Sequence, residues 1–185
     1  MDEVRLICHR STPTSLIDAI EVTPSRAREG RLQLRFTISG DLAAVRIAAP
    51  TTPRVGDRLW EHTCCEAFLA IDGAPAYHEL NFSPSGEWAG YAFRAYRERS
   101  GEAADAVVAP LIVERRADWL SLEAHIDVAR LSAHHVTQPL RVALSAVIEA
   151  RDGARSYWAL HHPPGQPDFH HADAFALRLE APGAG

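Results

Sequence analysis

The chain has 185 residues, of which 46% are hydrophobic and 23% are charged, and its formal net charge is −5. This length and composition predict one globular domain, residues 1–185, that is long enough to bury a proper core. The basic residues are scattered rather than gathered into a stripe that could neutralise phosphates, so we expect no nucleic-acid partner. No segment approaches the ~20 apolar residues that a membrane-spanning helix needs, so we expect no membrane partner either.

The first residues, MDEVRLICHRSTPT, begin with acids and contain no long apolar run, which predicts no secretory signal and a cytoplasmic protein. The three cysteines are Cys8, Cys64 and Cys65, and an odd number without a signal argues against a disulfide framework. Adjacent residues on a strand face opposite ways, so Cys64 and Cys65 are expected to stay reduced as small buried hydrophobes.

Alternation of apolar and polar residues with a period of two predicts strands along most of the chain. In chain order, the segments with this pattern or with a short apolar run are 32–40, 41–50, 63–71, 77–83, 89–98, a hairpin over 109–127 that turns at 115–118, 141–151, 156–162 and 175–180. Helical signals are weak: 127–135 is predicted to form one or two turns capped by Asp127, and 15–20 is too short to assign. About ten strands with at most one or two short helices predict an all-β, antiparallel β-sandwich. The last residues, 181–185, are expected to fray.

The segment 59–97 contains a predicted hairpin with an unusual polar face. In its second strand, Glu79 and Asn81 alternate with apolar residues and therefore share one face. A short turn joins the two strands, so they should pair antiparallel with cross-strand neighbours about 5 Å apart, and Glu66 is expected to approach Glu79 or Asn81. Carboxylates and an amide offer the acceptors and donors that match sugar hydroxyls.

Trp60 and Trp88 lie at the two ends of this hairpin, where they could supply flat apolar surfaces. Ligand sites combine such surfaces with a few placed polar groups, so the hairpin predicts a ligand-binding cleft. Two simpler interpretations stay open. A solvated sheet face would also carry Glu79 and Asn81, and either tryptophan taken singly fits a core or its rim.

A second cluster is SYWALHHPPGQPDFHHADAF, residues 156–175, in which four of the ten histidines fall within eleven residues. Histidine and aspartate are common metal ligands, and His161, Asp168 and His170 are the residues that would hold an ion such as zinc. The spacing matches neither the HExxH helix nor a CxxC knuckle. One alternative is a rigid loop held by local hydrogen bonds. In the other, the loop lines the same cleft as the hairpin, through Trp158, His161, Asp168 and His170.

Catalytic signals are poor. The chain has no GxSxG elbow, and the segment 83–86, SPSG, is more naturally a turn. Glu66 and Glu79 could hydrolyse a glycosidic bond if their carboxyl groups lie about 5 Å or about 6.5–9.5 Å apart. The enzyme alternatives are therefore a carboxylate-pair hydrolase and a metal-assisted hydrolase. A third class is an interaction module that uses an exposed sheet edge or aromatic patch.

Three segments resemble the signature segments of a bacterial branch of DOMON-like proteins related to family 9 carbohydrate-binding modules. They are LWEHTCCEAFLAIDG, AYHELNFSPSGEWAGYAFRAYR and YWALHHPPGQPDFH, and together they cover about half of the chain in a fitting order. The resemblance implies a single-domain antiparallel β-sandwich with a cleft on one face. In related modules a sugar is clamped between tryptophan rings and bonded by polar groups from neighbouring strands.

The resemblance also implies roles for particular residues. Those that would hold the sugar are Trp60, Glu66, Glu79, Asn81 and Trp88, with Trp158, His161 and Asp168 completing the wall. Modules of this group can also hold structural calcium, but the resemblance does not indicate which residues of this chain would be its ligands. Other DOMON domains bind haem through Met and His, and the only methionine in this chain is Met1, so haem is not expected. The sequence thus predicts a non-catalytic domain that binds a small carbohydrate or sugar derivative rather than a polysaccharide.

Overall fold

The computed structural model describes residues 2–108 and 110–182. Within these residues the chain forms thirteen strands and one short α-helix, α1 (Ala133–Thr137). In chain order the strands are β1 (Val4–Arg5), β2 (Ile7–Cys8), β3 (Ile17–Arg26), β4 (Arg31–Gly40), β5 (Cys64–Ile71), β6 (Tyr77–Phe82), β7 (Trp88–Ala95), β8 (Glu98–Glu102), β9 (Ile112–Arg115), β10 (Trp119–Asp127), β11 (Leu140–Glu149), β12 (Arg155–Ala159) and β13 (Leu177–Leu179). Of the tail that is predicted to fray, residues 183–185 lie outside the described residues.

The strands pair into two antiparallel sheets that face each other. One sheet has five strands in the order β1-β3-β4-β10-β9. The other has eight, in the order β2-β12-β11-β5-β6-β7-β8, with β13 beside β11. The prediction of an all-β antiparallel sandwich is therefore confirmed. The strands are more numerous than the ten or so expected, and several of them are short.

Alternation decides which side chains fill the space between the sheets. On β6, Leu80 and Phe82 are fully buried there, and the Phe82 ring lies 6.4 Å from that of Phe36 on β4. On β5, Cys65 and Leu69 belong to the same core. The predicted faces of these two strands are confirmed, so Glu66, Glu79 and Asn81 lie on the outer side of the eight-stranded sheet.

Much of the outer face of the eight-stranded sheet is buried as well, and the candidate site lies on this face. A second apolar cluster lies on this face, with Phe169 packed against it. Its buried members are Leu59, Cys64, Phe68, Ala70, Tyr77, Ala89, Tyr91, Phe93, Ala143, Ala174 and Phe175. Because a sheet that is apolar on both faces must be covered on both, the loop 160–176 folds over this side of the sheet.

The structure departs from the predicted elements in several places, and β1 and β2 lie where no strand was predicted. The unassigned segment 15–20 leads into β3, which pairs with β4 along its whole length. The apolar run 41–50 forms no strand, and only an isolated bridge joins its Val45 to Ala150. The predicted strand 89–98 is broken, because the chain turns at Arg97, whose φ is 55°, between β7 and β8.

The predicted helical turns over 127–135 are confirmed. The Asp127 carboxylate accepts the backbone N–H of Ala129 at 3.0 Å and so caps the 3-10 turn Val128–Arg130, which α1 follows. At five residues α1 is far too short to cross a bilayer, and no helix in the described parts of the chain is long and apolar enough to do so.

All three cysteines are free, as predicted, with Cys64 and Cys65 buried and Cys8 half-buried. Burial raises the pKa of the Cys64 and Cys65 thiols, and the nearby charge of Glu66 adds to the effect. A thiol with a raised pKa is protonated and unreactive at neutral pH, so these residues act as packing groups.

Candidate functional site

A cleft of about 540 Å³ opens on the outer face of the eight-stranded sheet. Strands β5 to β8, β11 and β12 form its floor, and the 3-10 turn Leu59–Glu61 and the loop 160–176 form its sides. Its lining residues are Trp60, Glu61, Glu66, Glu79, Tyr91, Phe93, Arg97, Arg99, Val147, Arg155, Tyr157, Pro167, Phe169 and His170. This volume lies within the range of ~300–1,000 Å³ that small-molecule sites occupy.

The rings of Trp60 and Tyr91 form an aromatic wall on one side of the cleft. Trp60 is 36% exposed and stands edge-on against Tyr91, with ring centroids 5.5 Å apart and an interplanar angle of 77°. The Arg99 guanidinium lies 4.0 Å from the centroid of the Tyr91 ring and also pairs with Glu102. The packing against Tyr91 fixes the Trp60 ring while leaving part of it open to the cleft, as a ligand-stacking surface requires.

The floor beside this wall is built from acceptor groups. Glu66 on β5 lies directly opposite Asn81 on β6, and Glu79 is two residues from Asn81 on the same face. The Asn81 Nδ2 donates to Glu79 Oε1 at 2.8 Å, and the Ser145 hydroxyl donates weakly to Glu66 Oε2 at 3.5 Å. Among the described residues, Glu66 Oε1 and Asn81 Oδ1 have no hydrogen-bond partner, although both atoms are buried.

Burial dominates the electrostatics of this floor. It raises the pKa of the Glu66 carboxyl well above its ordinary value, and the negative charge of Glu79 adds to the effect. The pKa of Glu79 is raised as well, again by burial, while the bond from Asn81 partly opposes the shift. Burial also raises the pKa of Tyr91 to about 12, so its hydroxyl keeps its proton and can donate.

A chain of hydrogen bonds holds His170 at the end of the floor. The backbone N–H of Arg97 donates to the Tyr77 hydroxyl at 3.0 Å, and that hydroxyl lies 2.8 Å from His170 Nδ1. In the tautomer in which the Tyr77 hydroxyl donates to Nδ1, the hydrogen of His170 is on Nε2, which lies 3.6 Å from Glu79 Oε2. Burial lowers the pKa of His170 to about 4, so the ring is neutral at pH 7.

Asp168 anchors the loop to the turn between β7 and β8. It accepts from the Tyr96 hydroxyl at 2.6 Å, from Arg97 Nη2 at 2.8 Å and from the backbone N–H of His170 at 3.1 Å. Partial burial raises the pKa of Asp168, but these bonds outweigh it, and the net pKa lies below the ordinary value. The carboxylate is therefore a structural anchor that sets the position of His170.

The structure brings six of the nine predicted site residues to this region. Four of them, Trp60, Glu66, Glu79 and His170, line the cleft. Asn81 lies beneath the lining as the partner of Glu79, and the sixth residue is the loop anchor, Asp168.

The structure does not bring the other three predicted residues to the cleft. Trp88 pairs with Phe82, and cross-strand partners share a face, so its ring packs toward the space between the sheets and its Nε1 donates to Ala104 O at 3.0 Å. Trp158 is 6% exposed in the same core. His161 lines a separate pocket with His9 and other residues of the N-terminal edge.

The predicted metal ligands His161, Asp168 and His170 do not converge. His161 lies in a different pocket from His170, Asp168 is bonded to Tyr96 and Arg97, and the ring of His170 faces Tyr77 and Glu79. Over residues 2–108 and 110–182, no group of three or more His, Cys, Asp or Glu side chains could hold a metal ion.

Several cleft residues escaped the sequence analysis. Tyr91 and Phe93 pair across strands with Glu79 and Tyr77, so the same alternation that picked out Glu79 would have found them once β6 and β7 were aligned. The others are Arg97, Arg99, Arg155, Tyr157 and Phe169. Arg97 and Arg99 lie at the turn between β7 and β8 and on β8, Arg155 and Tyr157 lie on β12, and Phe169 lies in the loop 160–176. Their approach to the cleft depends on long-range packing, which the period of a strand does not reveal.

No protein-family model and no curated protein sequence matches the chain. Its structure is similar to that of a candidate carbohydrate-binding protein from Bacteroides uniformis, with a TM-score of 0.65 and 15% identity over 94% of this chain and 83% of the other. It is also similar to a family 9 carbohydrate-binding module from Caldicellulosiruptor kristjanssonii. The complex of that module with glucose gives a TM-score of 0.55 and 12% identity over 95% of this chain and 81% of the other. The complex with cellotriose gives 0.56 and 12% over 98% and 84%.

At these identities the likeness concerns the fold. The chain has the β-sandwich fold of family 9 carbohydrate-binding modules, as the resemblance of its hairpin segments predicted. The relation to DOMON-like proteins in particular stays a prediction.

Proposed function

We propose that this protein is a non-catalytic carbohydrate-binding domain whose cleft holds a small sugar or sugar derivative. The observation that carries the proposal is the meeting of the Trp60–Tyr91 wall with a floor of buried, unpartnered acceptor atoms. Sugars combine flat C–H faces, which stack on aromatic rings, with hydroxyl donors, which satisfy buried acceptors. The solved structures of the same fold with glucose and cellotriose support the proposal.

Calorimetric titration with glucose and with short glucans tests this function. Trp60→Ala should weaken sugar binding at least about tenfold, or ~1.4 kcal/mol, because the ligand loses its stacking surface. The matched control is Trp119→Ala, which removes a half-buried tryptophan at the start of β10 on the opposite sheet and should leave binding unchanged. Absence of binding at millimolar sugar, or equal binding by the Trp60→Ala variant, would contradict the proposal.

One observation favours a second candidate, a carboxylate-pair glycoside hydrolase. Glu66 and Glu79 are neighbouring buried carboxyls with raised pKa values in the same cleft, which is how glycosidases keep one carboxyl protonated as a general acid. If this function holds, aryl glycosides should be cleaved by the natural chain and not by Glu66→Gln. If the natural chain cleaves aryl glycosides no faster than Glu66→Gln does, the hydrolase candidate is excluded.

A further inference from the structure

Among the described residues, three polar atoms in and under the cleft are buried without a partner: Glu66 Oε1 and Asn81 Oδ1, which are acceptors, and the Tyr91 hydroxyl. Glu66 is 3% exposed and lines the cleft, and its Oε1 has no partner within the described chain. Asn81 is fully buried, and because its Nδ2 is used by Glu79, its unpartnered atom is the acceptor Oδ1. Glu79 Oε2 has only the long 3.6 Å approach of His170 Nε2. A sugar hydroxyl brings one donor, whereas Glu66 and Glu79 line the cleft together and their carboxyl oxygens can accept from several.

The floor also lacks a compensating cation. In the described residues neither Glu66 nor Glu79 forms an ion pair with an arginine, and His170 is neutral at pH 7. The other charged and titratable groups that line the cleft with Glu66 are Glu61, Glu79, Tyr91, Arg97, Arg99, Arg155, Tyr157 and His170. Arg97 is bound to Asp168 and Arg99 to Glu102, so their charges are already paired at the rim. Arg155 also lines the cleft, but in the described residues it forms no ion pair with Glu66 or Glu79. A buried acid without a partner is costly, and a cation that comes with the ligand removes that cost.

We infer that the sugar bound in this cleft carries a primary amine, whose ammonium group sits on the floor between Glu66 and Glu79. This inference rests on the proposed function and names its ligand class, an amino sugar. A primary ammonium has three N–H donors, enough to serve the carboxyl oxygens of Glu66 and Glu79 together, and both residues line the cleft.

The inference predicts a preference that calorimetry measures directly. Glucosamine, N-acetylglucosamine and glucose are titrated at about pH 6.5, where an amine with an ordinary pKa is protonated. Glucosamine should bind at least tenfold more tightly than the other two, because acetylation removes the charge and two of the three donors. Equal affinity for the three sugars would overturn the inference and leave the proposed function standing. Failure of all three to bind overturns both.

Proton release gives a second readout that needs no variant. An ammonium on the floor favours the charged form of both carboxyls, so binding should expel a proton from the pair to the buffer while the ligand keeps its own. The apparent enthalpy for glucosamine should then change between two buffers with different ionisation enthalpies, and the enthalpy for glucose should not. Buffer-independent enthalpies for glucosamine would count against an ammonium on the floor.

Glu66→Gln separates charge from shape, since glutamine keeps the acceptor atom and loses the carboxylate. The tenfold preference for glucosamine over glucose should fall below about threefold, whatever the change in the affinity for glucose itself. The matched control is Glu123→Gln, a buried glutamate on the outer face of the other sheet, which should keep the preference. Calcium ions also take carboxylate and amide oxygens. Calcium binding that is lost in Glu66→Gln, without a preference for glucosamine, would assign the floor to a metal ion and overturn the inference.

Discussion

The outer faces of both sheets carry buried glutamates, and Glu123 on one face and Glu66 on the other are treated in opposite ways. Glu123 on β10 is 8% exposed and accepts from Arg35 at 2.6 and 2.9 Å, with His125 at 2.9 Å. Burial raises the pKa of Glu123, but these partners outweigh it and the net pKa is lowered. Glu66 on β5 is 3% exposed, has only a weak bond from Ser145, and has a raised pKa.

The difference shows where this fold keeps an acid for reasons other than stability. A paired glutamate on a solvated face is neutral or slightly favourable to folding. A buried acid without a cation or a full set of donors lowers stability. The eight-stranded sheet accepts that cost at Glu66 and Glu79, directly beside the open ring of Trp60, whereas the five-stranded sheet has no such pair among the described residues. The unpaired acids therefore mark the binding face of the sandwich.

The largest expected effect tests whether the outer face of the eight-stranded sheet is a true second core. Phe68 is 1% exposed, and its ring contacts those of Tyr77, His170 and Phe175. Phe68→Ala should lower the free energy of unfolding by about 3–5 kcal/mol. Thr37 lies on the outer face of the five-stranded sheet, and Thr37→Ala should change it by less than about 0.5 kcal/mol. Urea denaturation measures both. Similar small effects would mean that the two outer faces are equally solvated.

A smaller effect on stability tests whether Glu66 is buried without a partner for its negative charge. Because the pKa of Glu66 is raised on folding, its protonated form is favoured in the folded state, and stability falls as pH rises above its ordinary pKa of 4.5. Glu66→Gln should remove that loss and raise the free energy of unfolding by about 1–3 kcal/mol at pH 8, with little change at pH 4. Denaturation curves across this pH range check the sign. A variant less stable than the natural chain at pH 8 would show that Glu66 is satisfied as an anion.

The strand pair that carries these acids was predictable, because it rests on local rules. A period of two places Glu79 and Asn81 on one face, and the short turn after Ile71 forces β5 and β6 to pair, which sets Glu66 opposite Asn81. The position of Trp88 was not predictable in this way. Its face depends on the register across the turn 83–87, and the observed register aligns it with Phe82. One residue of slip would have turned the ring toward the cleft.

The loop 160–176 was still less predictable. Its histidines and prolines are conspicuous in the sequence, yet of the histidines only His170 lines the cleft, together with Pro167, while His161 lies in another pocket. The contacts that decide this are long-range: Arg97 with Asp168, and Tyr77 with His170, join residues 71 and 93 positions apart. Such contacts leave no period in the sequence, so the composition of the loop indicated chemistry without fixing its geometry.

The smallest expected effect tests the paired acid of the comparison. The pKa of Glu123 is lowered on folding, so its contribution to stability is present above its ordinary pKa of 4.5 and is lost as pH falls through the folded value. Glu123→Gln should lower the free energy of unfolding at pH 7 by about 0.5–1 kcal/mol, a small amount because Arg35 is 55% exposed and solvent screens the pair. The difference from the natural chain should shrink on acidification, opposite to the trend at Glu66. Added salt should shrink it too, since screening weakens an exposed pair. If Glu123→Gln and Glu66→Gln shift stability in the same direction at pH 8, the two faces treat their acids alike, and the unpaired carboxyls lose their value as a marker of the binding face.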